Sequence, residues 1–181
     1  MVIELMNNPE QIITEELEIE LPDVQLLKVE VTPSNRFWAL GCILSEAKED
    51  RAIVFSNTKR EVDLAVKRLN SGGINCSALH GDHSQAVREK VIAELREGKI
   101  RIIVATSSFG MGINKLDVRL VINFSLPANI ETYYQQSGRA GRDNKKAFSI
   151  LLFDESDIKY QQKLLNLRYP KCYEIIDFYN N

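Results

Sequence analysis

Ala52-Ile53-Val54-Phe55-Ser56-Asn57-Thr58-Lys59-Arg60-Glu61 holds the fold in miniature. The four apolar residues show no polar alternation, the pattern of a strand covered on both faces. The small polar residues Ser56, Asn57 and Thr58 form a cap, and a basic helix start follows. Val62, Ala65, Val66 and Leu69 then recur on one stripe, so the helix is expected over Lys59–Leu69, ending before Ser71-Gly72-Gly73. The same grammar repeats outward. Strands are expected at Leu26–Val31, Cys76–Leu79, Ile100–Ala105, Arg119–Phe124 and Phe148–Phe153. Helices are expected over Ser34–Ala47, with Ser34 as N-cap, over Ser84–Leu95, and over Ile130–Gln136. Strand–helix alternation predicts an α/β fold: a doubly wound, mainly parallel sheet with right-handed crossovers and helices on both faces. Ligands of such sheets sit beyond the carboxyl ends of the strands, and several of the chemical motifs are expected there.

The chain has 181 residues, enough for one domain with extra at the ends. Its net charge of −2 excludes a global basic field, so any nucleic-acid contact must be local. Cys42, Cys76 and Cys172 form no C-x-x-C pair, which argues against a structural zinc site and for reduced, largely buried thiols. No metal ligand set is assigned. No apolar run is long enough to cross a bilayer and no signal segment opens the chain, so no membrane partner is expected and the location expected is cytoplasmic or nuclear.

Four stretches carry chemistry. Tyr133-Tyr134-Gln135-Gln136-Ser137-Gly138-Arg139-Ala140-Gly141-Arg142-Asp143 sets two arginines three residues apart, each after a glycine. Residues at that spacing share a face of a helical turn, and guanidiniums match phosphate oxygens in bidentate fashion. Glycines before them let an anion approach the backbone. Val104-Ala105-Thr106-Ser107-Ser108-Phe109-Gly110-Met111-Gly112-Ile113-Asn114 places hydroxyls and glycines after a strand, where amide groups can meet phosphates. At the opening stretch, exposed Ser56, Asn57 and Thr58 and the following helix N-terminus could hold another phosphate. Leu79-His80-Gly81-Asp82 makes a turn, with Asp82 or Ser84 capping the next helix and Gln85 and Arg88 on its first turn. His80 has a plainer account as a structural histidine beside a turn.

Together these stretches resemble superfamily-2 helicases. The arginine run is similar to motif VI, Q-x-x-G-R-x-G-R. The run from Val104 is similar to motif V and the run from Ala52 to motif IV. The wording Phe109-Gly110-Met111-Gly112-Ile113-Asn114 and the Tyr133-Tyr134-Gln135 lead are most like the RecQ type. The likeness spans Arg51 to Phe153, and the segment before Arg51 reads more like the linker of DEAD-box proteins. The resemblance implies the second RecA-like domain of a helicase or translocase, of 3′–5′ polarity on DNA if RecQ-like. Arg139 and Arg142, supported by Gln135, would then be arginine fingers. Gly112, Asn114 and Gly138 would lie near the nucleotide. Ser56, Asn57, Thr58, Gly81, Asp82, Gln85, Arg88, Thr106 and Ser107 would grip one strand of DNA or RNA. ATP and Mg²⁺ would be held mainly by a first RecA-like domain, on the same or another chain. Residues 1–30 would be a connector and edge strand from that domain, 31–157 the helicase C-terminal domain, and 158–181 a helical tail with a break at Pro170.

One stretch imitates a magnesium site. Asp154-Glu155-Ser156-Asp157 follows an apolar strand, as a Walker B box would. The chain lacks the G-x-x-x-x-G-K-[ST] loop such a site needs, and the run is expected to be a solvated helix start. Two alternatives stay open: a DEAD-box-like RNA remodeller and a non-catalytic strand-binding module.

Overall fold

A computed structural model describes residues 23–48, 50–107, 118–143 and 145–168. Expectations for residues 1–22, for Gly112 and Asn114, for Cys172 and for the break at Pro170 fall outside them. The strands are β1 (Val24–Glu30), β2 (Ala52–Ser56), β3 (Cys76–Leu79), β4 (Ile102–Thr106), β5 (Leu120–Asn123) and β6 (Ala147–Phe153). The helices are α1 (Arg36–Glu46), α2 (Lys59–Ser71), α3 (Gln85–Arg96), α4 (Ile130–Ser137) and α5 (Glu155–Arg168). The strands form one sheet in the order β1-β6-β5-β2-β4-β3, and every neighbouring pair is parallel.

Side chains of the central strands alternate between two buried faces, which is why the sequence shows unbroken apolar runs there. Ala52, Val54, Ile102, Val104, Leu120 and Ile122 pack with Leu40 and Leu44 of α1 and Val62, Ala65 and Leu69 of α2. Ile53, Phe55, Ile103, Ala105 and Val121 pack on the other face with Val91 and Leu95 of α3 and with Ala140 after α4. Connections that step one way across the sheet put their helices on one face, and those that step back use the other, as right-handed crossovers require.

Local chemistry fixes most helix starts. The side chains of Thr58, Ser84 and Asn129 accept the N–H of Glu61, Val87 and Thr132 at the starts of α2, α3 and α4. The expected Ser34 cap is not used. Asn35 is the N-cap of α1, and its Oδ1 turns back to accept the Thr32 N–H at 2.8 Å, while the Thr32 and Ser34 hydroxyls pair at 2.9 Å. A Thr-Pro-Ser-Asn turn thus holds its own polar groups before the helix begins. Cys76 is buried, and burial pushes its thiol up to about 12, so it packs as an inert small hydrophobe; Cys42, expected inside, is exposed. Among the described residues no helix is long and apolar enough to cross a membrane, and no cluster of three or more side chains could hold a metal ion.

Candidate functional site

The sheet presents two polar surfaces at opposite ends of its strands. At the carboxyl ends, Ser56 of β2 and Thr106 of β4 stand in register. Both are buried, which corrects the expectation of an exposed Ser56. Ser56 Oγ donates to Glu61 Oε2 at 2.7 Å, and Ser125 Oγ, just past β5, donates to the same oxygen at 3.3 Å. Asn57 and Thr58 are half-buried. Asn57 Nδ2 donates to the Leu126 carbonyl at 2.8 Å, and Gln161 Nε2 of α5 donates to that carbonyl at 2.6 Å. Ser107 is exposed beside Thr106.

The loop after β3 completes this rim. Asp82 forms an ion pair with Lys59 at the start of α2, and that contact holds its carboxyl below the usual range. A side chain at Gly81 would meet the Lys59 side chain at an ordinary contact distance of 3.9 Å. His80 Nε2 lies 3.2 Å from Asp63 Oδ1, and its ring stacks on His83 at 4.0 Å. The His80 backbone N–H donates to His83 Nδ1 at 3.2 Å, which places the His83 proton on Nε2. Gln85 bonds Glu89 at 2.8 Å on the exposed side of α3, while Arg88 buries a guanidinium Nε with no protein partner.

The arginine turn is elsewhere. Helix α4 runs back along the sheet and ends at Ser137, whose hydroxyl pairs with Ser149 of β6 at 2.8 Å. The Gly141 N–H then donates to Val118 O at 3.0 Å, and a side chain at Gly141 would strike Lys145 O, Ala147 and Val24 within 3.3 Å. Val24 and Ala147 open β1 and β6, and Val118 precedes β5. Arg139 and Arg142 therefore stand toward the amino ends of these strands, not at the carboxyl ends where the fold rule places ligands. Gly141 has φ +67°, and its bareness serves the turn rather than an anion's approach. Arg139 is half-buried. Burial and then the neighbouring Arg142 lower its pKa from an ordinary guanidinium's, so the two charges share one region. Arg142 Nε donates to the Gly138 carbonyl at 3.1 Å. Gln135, expected to support the arginines, is exposed and shares a stripe with Glu131; the adjacent Gln136 is the buried one.

The acidic run is no magnesium box. Asp154 Oδ1 accepts the Ser156 N–H at 2.8 Å, and Asp157 forms a two-pronged ion pair with Arg36 of α1 at 3.0 and 2.8 Å. It is a helix start as expected, though Asp157 is half-buried in that pair rather than fully solvated.

The model of the helicase conserved C-terminal domain matches residues 35–144. The chain belongs to this family, within superfamily 2. It is 38% identical over 118 residues to the ATP-dependent DNA helicase RecQ of Haemophilus influenzae, covering 65% of this chain and 19% of that protein. It is 30% identical over 162 residues to eukaryotic initiation factor 4A of Caenorhabditis elegans, covering 88% of this chain and 40% of the relative. Among solved structures, a DEAD box protein from the hyperthermophile Methanococcus jannaschii superposes with a TM-score of 0.70 at 36% identity, covering 81% of this chain and 40% of that one. The chain thus spans between a fifth and two fifths of the length of these relatives.

Four residues that hold this helicase C-terminal domain together at the rim escaped sequence reasoning: Arg36, Glu61, Ser125 and Gln161. For Glu61 a signal existed. Thr58-x-x-Glu61 is a capping-box spacing, which marks the helix start but not the serines that its carboxylate takes. The other three bond partners far along the chain, and no local pattern announces them.

Proposed function

We propose that this domain is the second motor domain of an ATP-dependent nucleic-acid helicase. Its two polar surfaces divide the work. Arg139 and Arg142 meet the phosphates of ATP held by a first RecA-like domain, and the rim from Ser56 to Arg88 and Thr106 holds the phosphate backbone of one strand. The observation that carries this reading is the arginine pair on a turn fixed by Gly141 and well away from the rim. A module built only to hold a strand has no use for a second cationic surface. The guanidinium pair fits a polyphosphate, whereas the acidic run, committed to Arg36 and to the α5 start, does not fit Mg²⁺. Mg²⁺ therefore belongs with the first domain. When bound, nucleotide and metal supply the phosphoryl chemistry. This chain contributes positive charge that a partner domain's closure would bring to the phosphates, worth about 10³–10⁵ in rate for arginine fingers elsewhere.

Backbone gripping positions a strand without reading its sequence. Similar proteins named as DNA helicases and as RNA helicases leave the choice of strand to experiment. Steady-state ATP hydrolysis by the intact protein, stimulated by single-stranded DNA or RNA, tests the reading. Arg142→Ala should abolish hydrolysis and leave strand binding in place. Loss of strand binding with hydrolysis intact would overturn the division of labour. Stimulation by RNA alone, sensitive to the 2′-OH, would establish the RNA remodeller instead.

A further inference from the structure

The rim has a resident anion, and it belongs to the chain itself. Ser56 ends β2 and Ser125 lies just past the adjacent β5, and both hydroxyls donate to one oxygen of Glu61. Both serines are nearly sealed, at 2% and 6% exposure, whereas Glu61 is half-buried and reaches solvent. Glu61 is the third residue of α2, where the helix's amino-terminal field favours negative charge. The donors that a phosphate oxygen would seek beside this helix start are thus already given to a carboxylate of similar shape and charge.

We infer that Glu61 is an internal stand-in for a strand phosphate, which the strand must displace to engage Ser56 and Ser125. The inference rests on the reading of this rim as the strand grip. Displacement needs only that the Glu61 side chain swing outward from a helix whose backbone stays capped by Thr58. The two hydroxyls then exchange one anionic acceptor for another, so neither is left buried and unpaired. The exchange makes binding weaker than the donors alone would give, and it lets the carboxylate return as the strand leaves. A rim of this kind grips and releases without ever exposing orphaned hydroxyls. That suits a domain which must step along a strand.

The test is binding of fluorescently labelled oligo-dT and oligo-U to the full chain, by anisotropy at low and high salt. The variants are Glu61→Gln, Glu61→Ala, Ser56→Ala and Asp63→Asn. Glu61→Gln keeps an acceptor for both hydroxyls and so guards against misfolding, which a melting curve checks. Either Glu61 variant should bind roughly tenfold tighter, the scale of losing a charged acceptor's hold on its donors, and the gain should survive high salt. Asp63→Asn removes a nearby charge from the same helix without touching the serines. Any gain it gives should be small and should vanish as salt screens it. Weaker or unchanged binding by the Glu61 variants, with Ser56→Ala also weakened, would overturn the stand-in but keep the strand grip. Affinity unmoved by both the Glu61 and Ser56 variants would overturn the grip itself, and the inference with it.

Discussion

The arginine turn and the carboxyl-end rim are held by different kinds of bond. The turn is braced chiefly by backbone, with the Arg119–Asp143 ion pair beside it. Gly138, Arg139, Ala140 and Gly141 donate their N–H groups to Tyr134, Gln136, Ser137 and Val118. Glycine's positive φ and the close approach of Lys145 and Ala147 leave the turn no alternative path. The rim is held instead by side chains: Ser56 and Ser125 to Glu61, Asn57 and Gln161 to Leu126 O, and Lys59 to Asp82. Backbone bonds fix a group in place. Side-chain bonds can be traded for a ligand's atoms at little net cost, because donor and acceptor both find new partners. A charge that must meet a phosphate at one geometry belongs on the first kind of support. A surface that must bind and release belongs on the second.

The largest effect should come from the one part of the rim that is not exchangeable. Arg36 and Asp157 are 10% and 13% exposed in their side chains and fix α5 to α1. Asp157→Ala would leave a guanidinium buried without its partner, at a cost of about 3–5 kcal/mol. Urea melts should show the loss. A loss below about 1 kcal/mol would mean the pair behaves like a surface bridge and the rim has no fixed anchor. Next is Gly141→Ala. A left-handed backbone costs about 1–2 kcal/mol in a residue with a Cβ. Contacts at 3.1–3.3 Å add packing strain, so a loss of roughly 2–4 kcal/mol is expected. Little loss would show that the turn is looser than its bonds suggest, and the contrast with the rim would fall.

How far the sequence announced these two regions follows from what holds them. Strands such as Ala52–Ser56 and Cys76–Leu79 were legible because apolar runs bounded by small polar residues depend on neighbours in sequence. The arginine turn was legible as a motif for the same reason. Its location was not. That depends on α4 running back along the sheet, which carries Arg139 and Arg142 toward the amino ends of the strands. At the rim, Ser56 was identified but given the wrong environment. Its acceptor, Glu61, and the co-donor Ser125 converge only when β2 and β5 pair. Gln135 and Gln136 differ by one step, or about 100° around the helix, and only packing against the sheet decides which is buried.

Asn123 sharpens the comparison. It ends β5, is fully buried, and neither amide atom has a protein partner. Alternation along β5 turns it to the face opposite Ile122 and Phe124. An unpaired buried amide is unfavourable, so Asn123→Leu should stabilise the domain by about 1–3 kcal/mol in urea melts. Destabilisation instead would show that an internal water satisfies the amide and that the rim's polar groups are paired even here.

The smallest effect is set by pH at the loop after β3. His83 must keep Nδ1 free of a proton to accept the His80 N–H. Desolvation chiefly, and then His80, lower its pKa below the ordinary histidine value of 6.5, against the pull of Asp63 and Asp82. A lowered histidine pKa means that the unfolded chain takes up a proton before the folded one. The contribution is therefore complete above about pH 6.5 and is lost as pH falls below that value through the folded pKa. Arg88 also faces the ring, and its charge adds to the resistance. An NMR titration should give His83 a midpoint below 6.5, with the His80 amide resonance moving in step as the bond breaks. His83→Gln, which retains an acceptor, should flatten that step. A His80 amide that ignores the His83 titration would mean the loop is held by its backbone, as the arginine turn is, and that the rim is less exchangeable there than at Glu61.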